Sequence, residues 1–456
     1  MADEPQTEVA LDLLSALDEA LEAGAHKQVR ALLVPVSPAE IARLLEALPP
    51  SKRGAVWKRI DLHKKGDVLL AVNDAVRIQL IEEARPAELV LAVRRLDLDE
   101  LADIHGDLPA NVVKAVIRAM DDQRRERFDS VLSYPEDTAG GMMNTDTVAV
   151  RSDVTLKVAI RYLRRIRKHQ GQLPELTDNL MVVDVHNRYL GVLSLAELVS
   201  NDPDRTVSEI MDRQAPALDA LLPSSQVARH FEDLDLVSTA VVNRDGKLVG
   251  RVTVDDVLDV IRDEADRTVM NAAGLDEEAD MFAPVWTSTR RRAIWLGINL
   301  LTAFLAAYVI DLFQGTIAQL VALAVLMPIV ASMGGIAGTQ TLTLVTRAIA
   351  LNQVGSSNLF TLLWKELAIG SLNGLIWALV VAAVAIWWFN DWGLGAIIGV
   401  AIIINLAAAA LAGASIPVLL DRTGIDPALA GGMVLTTVTD VVGFLSFLGL
   451  ATVFLL

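Results

Sequence analysis

The chain contains no cysteine. That excludes a disulfide framework, thiolate zinc sites, iron–sulfur ligation and a cysteine nucleophile. Basic residues are outnumbered, with 40 Lys and Arg against 57 Asp and Glu, giving a formal charge of −17. So acidic a balance argues against a nucleic-acid binder, whose footprint is basic. Histidine is confined: His26, His63, His105, His169, His186 and His230 all fall in the first 292 of 456 residues. No nucleophile elbow, P-loop or metal-hydrolase spacing occurs, so the chain does not read as an enzyme. The N-terminal MADEPQTEVALDLL lacks a basic n-region and a cleavable signal pattern, so this end is expected to stay in the cytoplasm.

What is present divides sharply. The length suggests two to four domains. Hydrophobic residues make up 53% and mean hydropathy is +0.41, unusual beside so large a net charge. After Arg292 the only charged residues are Asp311, Arg347, Lys365, Glu366, Asp391, Asp421, Arg422, Asp426 and Asp440, net −3. The first 292 residues carry 37 basic and 51 acidic residues, net −14. An acidic cytoplasmic half is joined to an apolar membrane half.

A transmembrane helix needs roughly 20 apolar residues. Five spans are expected, near 293–311, 317–350, 366–389, 394–420 and 428–455. Pro328 and the run Gly334-Gly335-Ile336-Ala337-Gly338 predict a broken second helix facing protein or a wet cavity. Arg290-Arg291-Arg292, Arg347 with Lys365, and Arg422 lie on alternate connections, while DLFQGT and FNDWG have no Lys or Arg. The basic loops share one side if the N-terminus is cytoplasmic and the C-terminus extracytoplasmic.

Asp440 lies in the middle of the last span, MVLTTVTDVVGFLSF. An ionised carboxylate there costs at least a few kcal/mol unless it faces water, a cation or a partner. No basic side chain lies in a span near that depth. Thr436, Thr437 and Thr439 add oxygens. A protonated Asp bonded to a neighbouring helix is the bland alternative; a cation site is the better reading. Oxygen donors without imidazole or sulfur suit Mg²⁺, Ca²⁺ or Mn²⁺. One carboxylate per chain is thin for a divalent ion, and a two-fold dimer would bring two to one axis.

Residues 6–135 read as helices, with a 60-residue echo. Glu40-Ile41-Ala42 with Leu48-Pro49 matches Glu100-Leu101-Ala102 with Leu108-Pro109, as in a stacked-helix repeat. Asp97, Asp99, Glu100 and Asp103 cluster at a helix start, where capping alone explains acids. Residues 144–265 hold two similar strand–turn–strand–helix units, NLMVVDVHNRYLGVLSLAELVS and STAVVNRDGKLVGRVTVDDVLDVI. These resemble a tandem CBS-domain pair. The resemblance implies adenine-nucleotide binding such as ATP, through Thr253 and Asp256 in the second unit and less well Ser194 and Glu197 in the first. Helix capping explains the same residues equally well. Asp256, Asp259 and Asp263 share a helix face, which reads either as a solvated acidic helix or as a face bridged by cations. Glu277, Glu278 and Asp280 follow before the first span.

YPEDTAGGMM (134–143) opening the CBS pair, then MPIVASMGGIAGTQTLTLVTRAIA (327–350), WKELAIG (364–370) and GIDPALAGGMVLTTVTDVVGF (424–444), resemble the MgtE magnesium channels. The resemblance covers nearly the whole chain, in order. It implies a multidomain membrane protein: an α-helical N domain (1–135), an α/β tandem CBS pair (136–265), a connecting helix (266–292) and an all-α five-helix pore domain (293–456). It implies a homodimer in the cell membrane that imports Mg²⁺. Asp440 would bind hydrated Mg²⁺ in the pore and Asp426 would lie at its cytosolic mouth. Cytosolic Mg²⁺ would close the pore at sites drawn from Asp99, Asp103, Asp235, Asp256, Asp259 and Glu264. Ile336 and Thr339 depart from the Asn common in relatives, as do Arg267 and Thr268 from a continuing acidic run. A proton- or sodium-coupled carrier, with Asp440 as the proton site, and a membrane-anchored nucleotide sensor are the alternative readings.

Overall fold

The computed structural model describes residues 4–174, 176–275, 280–351, 353–355 and 357–455. Glu277 and Glu278 lie outside the described residues. Two compact units emerge, residues 1–265 with 278–283, and residues 266–277 with 284–456.

The first unit begins with ten helices: α1 (Glu4–Glu22), α2 (His26–Leu33), α3 (Pro38–Glu46), α4 (Pro50–Trp57), α5 (Lys65–Ala71), α6 (Asp74–Glu83), α7 (Pro86–Val93), α8 (Leu98–Asp103), α9 (Ala110–Ala119) and α10 (Asp122–Leu132). They are short because the sequence punctuates them. Pro38, Pro50 and Pro86 open helices at the first turn, where the missing N–H is harmless. The 60-residue echo has a structural counterpart. Ser37 and Glu40 form a capping box at α3, and Asp97 and Glu100 form one at α8. Ile41, Leu45, Trp57, Leu69, Leu80 and Leu89 are among the buried side chains between these helices. Each fully buried aliphatic side chain contributes about 1.5–3 kcal/mol.

Arg53 of α4 is wholly buried in this apolar setting. Its Nε donates to the carbonyls of Leu45 and Leu48, both at 2.9 Å. Its Nη1 and Nη2 reach the two carboxylate oxygens of Asp280, at 2.7 and 2.8 Å. The fork satisfies a guanidinium that burial would otherwise make very costly.

Two three-stranded sheets follow, with the same topology. β1 (Ala149–Arg151) pairs parallel with β2 (Asn179–Val183), which pairs antiparallel with β3 (Tyr189–Ser194). β4 (Ala217–Asp219), β5 (Ser238–Val242) and β6 (Leu248–Thr253) repeat the order. The registers correspond, Asn179 opposite Ser194 and Ser238 opposite Thr253. The hairpin turns use Asn187 (φ 62°) and Gly246 (φ 73°), at the positions where the sequence places turns. The helices are α11 (Leu156–Gln170), α12 (Leu195–Ser200), α13 (Val207–Ile210), α14 (Ser224–Leu234) and α15 (Val254–Ala272). Met181, Val183, Ala240 and Leu248 join the two sheets in one apolar cluster.

Residues 266–292 are not one connecting helix. α15 runs unbroken from the second CBS unit to Ala272. It stops at Gly274, whose φ of +67° suits glycine, with Leu275 N–H donating to the Met270 carbonyl at 2.9 Å. A new helix then starts after Pro284.

Among the described residues, the second unit holds five helices long and apolar enough to cross a membrane: α16 (Val285–Asp311), α18 (Ala322–Ala350), α19 (Leu359–Phe389), α20 (Trp392–Arg422) and α21 (Pro427–Phe454). A short α17 (Gln314–Gln319) precedes α18. The expected break at Pro328 and the glycine run is absent: α18 is continuous through both. The irregular backbone falls earlier, at Leu320 (φ −130°, ψ 82°). The glycines serve close approach instead. A Cβ on Gly338 would stand 2.8 Å from Leu435 of α21, and one on Gly413 of α20 would stand 2.7 Å from the Gly338 carbonyl. Small residues at such crossings let membrane helices touch through their backbones.

Candidate cation sites

Asp440 is the residue at the centre of α21. Its side chain is partly exposed, and no hydrogen bond or ion pair joins it to another described residue. The threonines around it are occupied with their own helix. Thr436 Oγ1 donates to the Gly432 carbonyl at 2.9 Å, Thr437 to Met433 at 2.8 Å and Thr439 to Thr436 at 3.0 Å. Each hydroxyl still has acceptor capacity. Among the described residues, then, no side chain neutralises this mid-span carboxylate.

Asp426 sits at the helix start, where its side chain caps α21 by accepting from Ala428 N–H at 2.8 Å. Its other oxygen accepts from Asn271 Nδ2, near the end of α15, at 2.8 Å.

In the first unit, Asp99 and Asp103 of α8 feel the charges of Asp256 and Asp259 at the start of α15. The capping box turns Asp97 and Glu100 to the helix end, and leaves Asp99 and Asp103 on another face. Asp99 is only 5% exposed, and its Oδ1 has no hydrogen-bond partner. Burial, then the charges of Asp256 and Asp97, push its carboxyl up to about 8. Asp256 is pushed up to about 7 by burial and by Asp255, although Thr253 Oγ1 donates to it at 3.0 Å. Asp103 is raised to about 6 by burial and by Glu136. Asp259 is raised by burial. Asp99 is the buried one; Asp256 is half-buried, and Asp103 and Asp259 reach the surface. Crowded like charges of this kind are what a divalent cation relieves. Among the described residues no three acidic or histidine side chains converge closely enough to grip a bare ion.

Asp235 is exposed at the left-handed cap of α14 (φ 50°), and is not among the charges that raise Asp99, Asp103 and Asp256. Glu264 is exposed further along α15. Glu136, beside Asp103, was not singled out by the sequence, because its acid stands in a loop over thirty residues from α8.

A separate cleft of about 640 Å³ opens between the CBS units, lined by Asn179, Ser194, Glu197, Arg205, Ser238 and Thr239 among others. Thr253 and Asp256 do not line it. Thr253 is buried and its hydroxyl is bonded to Asp256. The cleft belongs to Ser194 and Glu197, the weaker match in sequence. Ser194 caps α12 by accepting from Glu197 N–H at 3.1 Å.

Comparison with known proteins matches residues 36–137 to the MgtE intracellular N domain, 139–203 and 207–263 to CBS domains, and 327–450 to the MgtE divalent cation transporter family. The magnesium transporter MgtE of Thermus thermophilus is 31% identical over 453 residues, covering 97% of this chain and 98% of that protein. The chain belongs to the MgtE family of magnesium transporters. The Bacillus subtilis MgtE is 26% identical over 95% of this chain and 96% of its own. Among solved structures, the cytosolic domain of the Mg²⁺ channel MgtE in complex with ATP is 32% identical. It covers 54% of this chain and 99% of its own, with a TM-score of 0.48. MgtE membership makes this a multi-pass membrane protein with Mg²⁺ as its transported substrate, and accounts for the order of N domain, CBS pair and apolar helices.

Proposed function

We propose that the chain is a Mg²⁺ channel of the cell membrane, importing Mg²⁺ down its electrochemical gradient and closed by cytosolic Mg²⁺. The observation that carries the pore assignment is Asp440: a mid-span carboxylate, partly exposed and without a partner among the described residues. A lone charge at that depth needs water or a cation. Two copies of the chain would set two such carboxylates about one axis, enough charge to attract a hydrated divalent ion. The basic loops orient the N-terminus to the cytoplasm and the C-terminus outside.

The closing signal acts on the first unit. Asp99, Asp103, Asp256 and Asp259 repel in the absence of cations, so Mg²⁺ favours the arrangement in which they are close. Only an ion that prefers one arrangement can shift an equilibrium toward it. α15 carries Asp256 and Asp259 near its start and Asn271, bonded to Asp426, near its end. Ion binding at one end of this helix therefore bears on the contact at the other.

The cleft at Ser194, Glu197 and Arg205 suits an adenine nucleotide, with a cation for phosphate and polar groups for the ribose. It modulates the same unit.

The test is Mg²⁺ uptake into proteoliposomes by the full chain. Asp440→Asn keeps shape and removes charge, and should abolish uptake while the protein still inserts. Normal uptake by that variant would refute the pore assignment. Raising internal Mg²⁺ should close wild-type channels, and the Asp256→Asn, Asp259→Asn double variant should need more Mg²⁺ to close.

A further inference from the structure

Asn405 lies in the middle of an otherwise apolar helix, α20, and is completely buried. Its Nδ2 donates to the Val330 carbonyl of α18 at 2.8 Å. Its Oδ1 is buried with no hydrogen-bond partner. Two glycines make room for it. A Cβ on Gly334 of α18 would collide with the amide, and one on Gly443 of α21 would lie 2.8 Å from Nδ2. One polar side chain is therefore wedged between two other helices, bonded to the first and pressed against the glycine of the second.

Stability does not explain that choice. A single interhelical hydrogen bond in a bilayer contributes little. An unmet buried acceptor costs more than such a bond returns. A leucine of similar size would fill the site at no loss. The position of the wedge does suggest a role. Gly443 follows Asp440 by three residues, so the two lie on neighbouring parts of one helix face, about 4.5 Å apart along the axis. The same α18–α21 seam is fixed on the other side of Asp440, where Gly338 meets Leu435 and Gly431 meets Leu342. Asn405 is the polar pin that sets α21 against α18 at the level of Asp440.

We propose that Asn405 is a positioning residue for Asp440, fixing where the carboxylate stands for the transported Mg²⁺; the inference rests on the reading of Asp440 as the pore cation site. Asn405 does not touch the ion. It acts through the helix that carries the carboxylate, as an outer-shell partner does at a metal site.

The experiment compares full-length wild type, Asn405→Leu, Asn405→Ser and Asp440→Asn in proteoliposomes. It reads thermal unfolding, the external Mg²⁺ giving half-maximal uptake, and the ratio of Mg²⁺ to Mn²⁺ uptake. Asn405→Leu should unfold at the wild-type temperature or above. Its half-maximal Mg²⁺ should rise about tenfold, the low end of what losing an outer-shell partner costs a metal site, and its Mg²⁺-to-Mn²⁺ ratio should fall. A merely structural residue would leave that ratio unchanged. If Asp440→Asn abolishes uptake while Asn405→Leu matches wild type in both uptake measures, the positioning role is overturned and the pore assignment stands. If Asp440→Asn transports normally, the pore assignment fails and this inference with it. Should Asn405→Leu fail to insert, Asn405→Ser, which removes the Asn405 amide with less bulk, is judged by the same two uptake measures.

Discussion

Replacing Asp99 by Asn should change how the metal-free protein responds to pH. In the folded chain its carboxyl is pushed from 3.8 up to about 8, first by burial and then by Asp256 and Asp97. A raised carboxyl pKa means the folded state holds a proton that the unfolded state has lost. Below about pH 4 both states are protonated and Asp99 is neutral in effect. As pH climbs toward 8 the folded state is increasingly penalised, and above 8 the full penalty stands. Each pK unit corresponds to about 1.36 kcal/mol, so the ceiling is on the order of 5 kcal/mol. Within the window, stability should fall by up to about 1.4 kcal/mol per pH unit from this one group. Asp99→Asn removes the titrating group and relieves Asp256 of a neighbour. Full-length protein in detergent with EDTA, followed by scanning fluorimetry and limited proteolysis from pH 5 to 9, should show the first unit losing stability with rising pH in the wild type and much less in Asp99→Asn. Mg²⁺ should restore the wild type at high pH by mass action on the folded form, and do less for the variant. Equal pH slopes for the two proteins in EDTA would refute the argument that Asp99 bears the cost of the cluster.

Arg53→Ala removes the buried partner of Asp280 and leaves several carbonyls unmet; a loss of roughly 3–5 kcal/mol is expected, visible as a lower unfolding temperature of the first unit. Asp280→Asn, which keeps one acceptor, should cost less. For the nucleotide cleft, Arg205→Ala should weaken ATP binding to the purified full chain by calorimetry, whereas Thr253→Ala should leave it intact; the reverse pattern would move the site back to the second CBS unit. Ser37→Ala should cost about 1 kcal/mol by removing one half of the α3 capping box, read as a small drop in the same unfolding temperature.

The features written in periodic or local signals were legible without coordinates. The five spans follow from runs of apolar residues, and the two CBS units from turn residues at matching offsets. The repeat of capping boxes at Ser37 and Asp97 shows in the 60-residue echo. The glycine run around Ile336 was misread because glycine loosens a helix in isolation, yet lets helices approach when neighbours press close. Sequence does not say which neighbour is there, and Asn405 and Leu435 supply the answer. The connecting helix was misplaced for a similar reason: its end depends on a left-handed Gly274, and glycine occurs in many other settings. Asp280 looked like one more linker acid because Arg53, its partner, is 227 residues away. Asn405 left one signal, a single amide within the apolar stretch AIIINLAAAA.

The Arg53–Asp280 pair also closes a ring within the first unit: it ties α4 to a residue 227 positions along the chain, so both sheets lie inside one loop held by two side chains. The entropy of closing a loop grows only slowly with its length, so a single buried fork suffices to hold the far end of so long a segment, and breaking it would release that end without touching either sheet.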